Sequence, residues 1–150
     1  MGEAVGQVSA SARDDGAYRR SLVVLEHMHS ENVQEWDRTI ATFSHARYEL
    51  PDGRVLDGRD EVMRYWVEGR QVVPDQRNEL IKLTHHSPCD VLIEFWLRGT
   101  PVSLDGSTRR PFQHRLWAVF TFDGDDLLVN ERVFTAAPTD EQIAGAHPPR

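Results

Sequence analysis

Residues 91–98 read VLIEFWLR and residues 113–122 read QHRLWAVFTF, and these two stretches decide the fold. Both are rich in β-branched and aromatic residues and both alternate along the chain, which is typical of β-strands. Turn-forming clusters separate them from each other and from two further strand-like stretches, 79–85 and 127–135. Four consecutive strands without intervening helices predict an antiparallel sheet.

Helices are predicted ahead of this sheet. The apolar residues Leu22, Leu25 and Met28 recur at three-residue steps, so the segment 18–29 is predicted to be an amphipathic helix with these residues facing the core. The run NVQE at 32–35 has the pattern of a capping box and predicts that a second helix follows almost immediately.

A short strand and a third helix complete the N-terminal half. Residues 45–50 alternate and end in the turn sequence PDG at 51–53, which predicts a strand. Residues 57–69 begin with acidic residues and end in a glycine, which predicts a helix. Helices first and strands afterwards indicate an α+β fold rather than alternating βαβ units.

The length of 150 residues suits one domain. We place that domain at 17–143. A flexible leader is expected at 1–16, because this stretch has no periodic apolar face. The chain after Pro138 is expected to be irregular, including a tail at 144–150.

Charge and cysteine content argue against several classes of partner. The formal charge is −7 and Lys82 is the single lysine, which counts against nucleic acid because phosphate binding draws on clustered Lys and Arg. Cys89 is the single cysteine, so neither an internal disulfide nor a multi-thiolate metal site is expected. No apolar run approaches the ~20 residues of a membrane span, and 1–15 does not have the pattern of a signal peptide. The expectation is a cytoplasmic protein without a membrane partner.

Alternation assigns one face of each strand to the interior. In 91–98 the wholly apolar face is the inward one, and in 113–122 the inward face carries one polar residue, His114. The opposite face carries Trp96 and Trp117 and is more apolar than solvent exposure requires. We therefore predict a homodimer that forms through the outer face of the sheet.

The last strand has two faces of similar composition. The expected contacts with the neighbouring strand decide between the two faces. If Glu131 lies on the outer face, it comes near Arg115 and the two opposite charges can pair. Asn130 and Arg132 are then predicted to point inward beside His114.

Several strings are familiar in this order of elements: ENV (31–33), FSHARYEL (43–50), RNELI (77–81), IEFWL (93–97), and FDGD (122–125) through ERVF (131–134). Together they resemble the SnoaL-like polyketide cyclase family of the nuclear-transport-factor-like superfamily. The resemblance covers about residues 18–143. It implies a cone-shaped α+β barrel with N-terminal helices packed in a curved antiparallel sheet, a cofactor-free pocket, and commonly a homodimer.

The family's catalytic carboxylates do not carry over. The resemblance implies an acid–base aspartate four residues after Arg132, where this chain has Ala136 or, with a deletion, Thr135. The ketosteroid isomerases of the superfamily imply an aspartate where this chain has Leu50 and an oxyanion-donating acid where it has Ala118. Steroid-isomerase chemistry is therefore not expected.

The remaining polar residues of the predicted interior define the candidate site. His114 is the candidate acid or base, because imidazole titrates near neutrality, and Arg132 is the candidate stabiliser of an anion. Asn130 and Tyr48 are candidate positioning groups. The substrate-binding wall is completed by Trp66, Phe95, Phe120 and Phe134. The structural alternatives stay open: a histidine without a catalytic role, an arginine in a salt bridge, and aromatic residues that only pack.

No metal or nucleotide cofactor is expected. His85 and His86 point to opposite faces of a strand, and His27 and His29 lie two positions apart on a helix, so neither pair chelates one ion. His45 is interpreted more readily as a partner of helix carbonyls than as a catalytic group. The sequence has no histidine–glutamate metal motif and no glycine-rich phosphate loop.

Two functions remain open. The first is a cofactor-independent cyclase, isomerase or dehydratase that acts by acid–base chemistry on a polyketide-like or other carbonyl-bearing metabolite, in secondary metabolism. The second is a non-catalytic module of the same fold that binds an apolar metabolite or supports a partner. His and Arg together in one pocket favour the enzyme, and the missing aspartates favour the module.

Overall fold

The computed structural model describes the backbone of residues 2–145 and the side chains of residues 15–145. Two helices, two short strands and a third helix precede four consecutive strands and a final short helix. The elements are α1 (Gly2–Asn32), α2 (Trp36–Ile40), β1 (Arg47–Glu49), β2 (Val55–Asp57), α3 (Arg59–Val72), β3 (Arg77–His85), β4 (Asp90–Gly99), β5 (Phe112–Phe122), β6 (Leu128–Phe134) and α4 (Asp140–Ala144).

The strands form one six-stranded sheet in the order β2-β1-β6-β5-β4-β3. Neighbouring strands are antiparallel except β1 and β6, which run parallel. The first three helices pack against one face of this sheet, so the predicted cone-shaped α+β fold is confirmed. The strand β2 was not predicted, and the sheet is mixed rather than wholly antiparallel, because the short β1 joins the far edge of β6.

The core lies between the helices and the concave face of β4 and β5. The predicted inward faces of these two strands are confirmed, since Ile93 and Phe95 on β4 and Ala118 and Phe120 on β5 are all buried. Phe120 is among the largest fully buried side chains. Burial of each such residue stabilises the fold by roughly 1.5 to 3 kcal/mol.

The buried face of α1 differs in part from the predicted one, because Met28 is buried as predicted but Leu22 and Leu25 are not. Leu22 and Leu25 are 46% and 43% exposed, whereas Val24, His27 and Met28 are buried. The predicted set and the buried set both recur at helical spacing, and the set that contains only apolar residues was the one predicted to be buried. The true face includes polar residues, so hydrophobicity alone selected the wrong side of the helix.

The ends of the helices also differ from expectation. Residues 2–16 belong to α1, whereas the sequence predicted a leader without secondary structure. The predicted flexibility of this stretch stays a prediction. The predicted capping box at 32–35 is wrong, because Glu35 precedes α2 and makes no side-chain cap. The side chain of Asn32 instead bonds the backbone of Asn78 on β3 through two hydrogen bonds, of 2.9 and 2.7 Å.

The inward face predicted for β6 is wrong. Across β5 and β6 the buried Ala118 lies opposite Val133, and Phe120 lies opposite Glu131. Glu131 and Val133 therefore point inward, and Asn130 points to the outer face. A register shift after Thr121 sets this alternation.

The chain after Pro138 is helical where an irregular segment was expected. Thr139 and Gln142 form a capping box at the start of α4, and each side chain bonds the other residue's backbone N–H. Ile143 is buried against Val119 on the outer face of β5. Of the predicted tail at 144–150, residues 146–150 lie outside the described part of the chain.

Candidate active site

A cavity of about 500 Å³ lies between α1, α3 and the concave face of the sheet. This volume is in the range of small-molecule sites. The sheet supplies an apolar wall that includes Phe95, Leu97, Leu116 and Val133. The polar groups come from the helices, from β1 and β3, and from Glu131 on β6.

His27 on α1 lies behind this cavity, between two carboxylates that line it. Its Nε2 atom is 3.2 Å from Oε2 of Glu131 and 3.7 Å from Oε2 of Glu31. The Glu131 contact is short enough for a hydrogen bond but poorly aligned for one, so it is an ion-pair contact. The His27 side chain is 1% exposed.

The partners of His27 fix its protonation. Thr42 donates its single hydroxyl proton to the carbonyl oxygen of Thr39 at 2.6 Å, so it accepts a hydrogen bond from Nδ1 of His27 at 3.0 Å. Nε2 faces two carboxylates and is stabilised there only if it also carries a proton. The geometry therefore assigns an imidazolium to His27.

The same contacts shift two pKa values. Burial alone would lower the pKa of His27, but the pull of Glu131 and Glu31 outweighs it, and the net pKa is raised. The pKa of Glu31 is also raised, because burial and repulsion by Glu131 exceed the attraction of His27 and Arg70. The surroundings of Glu31 thus favour its protonated form more than solvent would.

Further polar side chains surround the two carboxylates. Tyr48 on β1 lines the cavity, and burial together with repulsion by Glu131 raises the pKa of its hydroxyl well above the ordinary value, so the hydroxyl stays a neutral donor. Asn78 lines the cavity beside Glu31 and favours its ionised form, which partly offsets the rise in the pKa of Glu31. Trp66 and Arg70 line the cavity from α3 and are 3% and 6% exposed.

The two residues predicted to be catalytic lie outside this cavity. His114 is on the inward side of β5, but near the end of the strand, where it is exposed and stacks on Phe112 at 5.0 Å. Arg132 points to the outer face, 3.8 Å from the Glu49 carboxylate and 5.0 Å from the Phe134 ring. Catalytic roles for His114 and Arg132 stay predictions, and the structure does not bring the two together.

The predicted substrate-binding residues divide into two groups. Tyr48, Trp66 and Phe95 line the cavity, and Phe120 is buried with its ring 5.3 Å from that of His27. Asn130 is fully buried on the outer face, where it bonds Arg47 and Glu49 of β1, and Phe134 lies on the same face. Their binding roles stay predictions.

Sequence reasoning missed the residues that the cavity brings together. His27 and Glu31 are four apart on α1 and therefore share one face, which is a readable signal. His27 was considered only as a partner for His29, and Glu31 was considered only as part of the string ENV (31–33). Glu131 was placed outside, and Arg70 on α3 was not considered.

The described residues hold no cluster of His, Cys, Asp or Glu able to bind a metal ion. Within the same part of the chain, no helix has the length and apolarity of a membrane span. Cys89 is exposed and reduced.

Comparison with known proteins identifies the fold of the chain but not its activity. No protein-family model matches the chain, and no curated protein matches it. Many solved structures do match. The chain is similar to the epoxide hydrolase/cyclase-like enzyme SalBIII, which has a role in pyran ring formation in the polyether salinomycin: the TM-score is 0.68 and the identity 18%, over 79% of this chain and 91% of that one.

Two further structures have the same architecture. A putative polyketide cyclase from Xanthomonas campestris pv. campestris matches with a TM-score of 0.67 at 16% identity, over 88% of this chain and 99% of that one. A protein of unknown function from Burkholderia pseudomallei, described as NTF2-like, matches with a TM-score of 0.67 at 16% identity, over 87% and 98%. The chain thus has the fold of SnoaL-like polyketide cyclases and NTF2-like proteins. Identities this low show the fold alone.

Proposed function

We propose that this protein is an acid–base enzyme in which Glu131 removes a proton from a small bound metabolite and Glu31 donates one. A single observation carries the proposal: two carboxylates from different elements line one cavity, and a buried imidazolium lies behind both. His27 does not line the cavity, so we assign it as a positioning residue that acts through the two carboxylates.

The division of roles follows from the electrostatics of the site. A general acid must hold its proton and a general base must be ionised at the same pH, and environments that treat two carboxyls differently achieve this. The pKa of Glu31 is raised by burial and by Glu131. Oε2 of Glu131 is buried 3.2 Å from the His27 cation, which holds the carboxylate in place, and Glu131 itself lines the cavity where a substrate would bind.

The reaction class is ring closure, double-bond isomerisation or dehydration of a carbonyl- or epoxide-bearing metabolite. Each of these reactions moves a proton from one substrate atom and delivers a proton to another. Side chains perform both transfers, so the proposal requires no cofactor. The apolar wall of Phe95, Leu97 and Leu116 suits a hydrocarbon body, and a polyketide-like compound of secondary metabolism fits this description.

The proposal is tested by proton transfer on a panel of small cyclic ketones, hydroxyketones and hydroxy-epoxides in D₂O. Mass spectrometry follows deuterium uptake at carbon and the formation of cyclised products. Glu131→Gln should reduce the rate about a hundredfold or more, which is the usual effect of one acid–base group. Glu31→Gln should reduce cyclisation or elimination more than it reduces deuterium exchange. Exchange begins with proton removal by Glu131, whereas cyclisation and elimination also need a proton from Glu31.

Glu68→Gln is the matched control, since Glu68 is an exposed carboxylate at the same cavity. It should leave the rate within about twofold of the unmodified protein. Saturable binding of the panel without exchange or conversion would overturn the enzyme and support the alternative, a module that binds an apolar metabolite. The apolar sheet wall is the observation that favours that alternative.

We also propose that the protein forms a homodimer through the outer face of the sheet. Trp96 and Trp117 are half-buried there, and Arg98 and Arg115 lie over their rings at 5.7 Å. Light scattering during size-exclusion chromatography tests this. Trp117→Glu should convert a dimer to a monomer, and a monomer at all concentrations of the unmodified protein would contradict it. Cytoplasmic location and the absence of nucleic-acid or membrane partners stay predictions.

A further inference from the structure

Two hydrogen-bond donors in the wall of the cavity have no partner among the described residues. They are Nε1 of Trp66 and Nε of Arg70. The two side chains lie one helical turn apart on α3, so they point to the same side of the helix. A buried donor without a partner costs about 1 to 3 kcal/mol. Two such donors on cavity-lining residues of one helix face are the observation that a bound acceptor would explain.

The Arg70 side chain is held in place by other contacts, although its Nε has no hydrogen-bond partner among the described residues. Its Nη2 donates to the carbonyl oxygen of Glu31 at 3.1 Å, and its guanidinium lies over the ring of Trp36 at 5.5 Å. Trp36 in turn stacks on Trp66, with ring centroids 5.8 Å apart. The stack fixes the direction of the guanidinium, so Nε is a positioned donor rather than a mobile one.

Arg70 is also a buried cation that forms no ion pair with any described residue. The carboxylate of Glu31 is near enough to attract the guanidinium but forms no ion pair with it. Burial of an unpaired charge is costly, and proteins ordinarily pair such a charge. An anion delivered by a ligand would supply the missing partner.

We propose that Trp66 and Arg70 bind a carboxylate of the substrate, so that the metabolite is an apolar carboxylic acid whose reacting carbon is held against Glu31 and Glu131. The inference deepens the proposed function, since it uses the same cavity and the same substrate. The indole N–H binds one carboxylate oxygen and the guanidinium Nε–H binds the other, while the hydrocarbon body lies on the sheet wall.

The charge of the site favours a monoanion over a neutral carbonyl or a phosphate. The His27 cation and the Glu131 anion balance one another at 3.2 Å. The guanidinium of Arg70 has no carboxylate partner among the described residues, so its positive charge is left uncompensated. One negative charge neutralises the site. A dianionic phosphate would leave an excess negative charge next to Glu131, and a neutral carbonyl would leave Arg70 unpaired.

The test compares cyclohexylacetate with cyclohexylacetamide, which have nearly the same shape and differ in charge. Isothermal titration calorimetry at pH 7 gives both affinities for the full chain. We expect the carboxylate to bind at least about tenfold more tightly, because hydrogen bonds to charged groups contribute more than neutral ones. Arg70→Gln should remove this preference. Trp66→Phe, which keeps the ring and loses the N–H, should reduce it about threefold or more.

The matched control is Arg54→Gln, since Arg54 is a solvent-exposed arginine at the same cavity, paired with Asp52. It should leave the preference unchanged. Equal binding of the two compounds by the unmodified protein would overturn the inference, as would a preference lost in Arg54→Gln and kept in Arg70→Gln. If Arg70→Gln fails to fold by circular dichroism, Trp66→Phe decides alone.

Failure of this inference is separable from failure of the proposed function. Glu131→Gln should reduce proton transfer about a hundredfold or more and keep the carboxylate preference, because Glu131 is not a donor to the ligand. Loss of the preference with proton transfer intact would refute only the carboxylate site. A retained preference without any proton transfer would refute only the enzyme.

Discussion

Oε2 of Glu131 lies 3.2 Å from Nε2 of His27, and the two residues come from β6 and α1, more than one hundred positions apart in the chain. The contact joins the sheet to the first helix inside the core, where the His27 side chain is surrounded by the rings of Phe43, Trp66 and Phe120. A charge pair in such apolar surroundings is strongly coupled to folding, because either partner alone would be an unpaired buried charge.

The first prediction concerns stability. His27→Gln leaves Glu131 and Glu31 without their cation, so it should lower the free energy of unfolding by about 3 to 5 kcal/mol at pH 7. Urea unfolding followed by circular dichroism measures this. The double variant His27→Gln/Glu131→Gln removes one charge of each sign and should recover a large part of the loss.

His45 provides the comparison for that prediction. It also pairs with an aspartate, Asp57, but both side chains are more than half exposed. An exposed ion pair contributes little, so His45→Gln should change the urea midpoint only slightly. Equal effects of His27→Gln and His45→Gln would show that the buried pair does not carry the stability assigned to it.

The second prediction is the dependence of stability on pH. The folded-state pKa values of both His27 and Glu31 are raised from their ordinary values, 6.5 and 4.5. Each group therefore binds its proton more tightly in the folded state. The resulting stability is complete below the ordinary value and is lost as pH rises through the raised one. The melting temperature should fall from about pH 5 towards pH 9.

The acidic side of the profile has the opposite sign. Hydrogen bonds from Ser44 and from backbone N–H groups lower the pKa of Asp123 against the effect of burial, so its contribution is lost as pH falls through that lowered value. Maximum stability is thus expected at about pH 4.5 to 6. Differential scanning calorimetry between pH 3 and 9 tests the profile, and His27→Gln/Glu131→Gln should flatten its alkaline side. A melting temperature that climbs steadily from pH 5 to 8 would contradict the assignment.

Sequence patterns predicted the fold better than the site, and the reason is physical. In β4 and β5 one face is almost wholly apolar, so alternation alone identified the inward residues Ile93, Phe95 and Phe120. In β6 the two faces are similar in composition, and the pairing register decides which points inward. A register shift next to Thr121 is a tertiary feature that composition does not reveal.

The buried charges were missed for a related reason. Periodicity assigns charged residues to the surface, and that rule fails where a protein buries charges for chemistry. His27, Glu31 and Glu131 are all buried, whereas Glu131 was predicted on the outer face and neither His27 nor Glu31 was predicted in the core. The failures of the pattern therefore coincide with the candidate site, whereas the failure at α4 reflects only a helix too short for its period to be seen.

The third prediction concerns the contact between α1 and β3. The Asn32 amide accepts from the backbone N–H of Asn78 at 2.7 Å and donates to its carbonyl oxygen at 2.9 Å. Asn32→Ala leaves both backbone groups without this partner and should cost about 1 to 3 kcal/mol, measured by urea unfolding. Gln34→Ala is the control, because Gln34 makes one exposed hydrogen bond, to Pro74. Comparable losses in the two variants would refute a special role for Asn32.

The fourth prediction concerns α4, which the sequence did not reveal. Ile143 is 2% exposed and packs on Val119 at the outer face of β5, on the side of the sheet opposite the cavity. Ile143→Ala should lower the free energy of unfolding by about 2 to 5 kcal/mol, as for other large-to-small changes in a core. Ile81→Ala, at a site 42% exposed on β3, should cost less than about 0.5 kcal/mol. Because α4 touches neither Glu31 nor Glu131, Ile143→Ala should leave the affinity for cyclohexylacetate unchanged below its melting temperature; a large loss of affinity in the folded variant would mean that α4 supports the cavity after all.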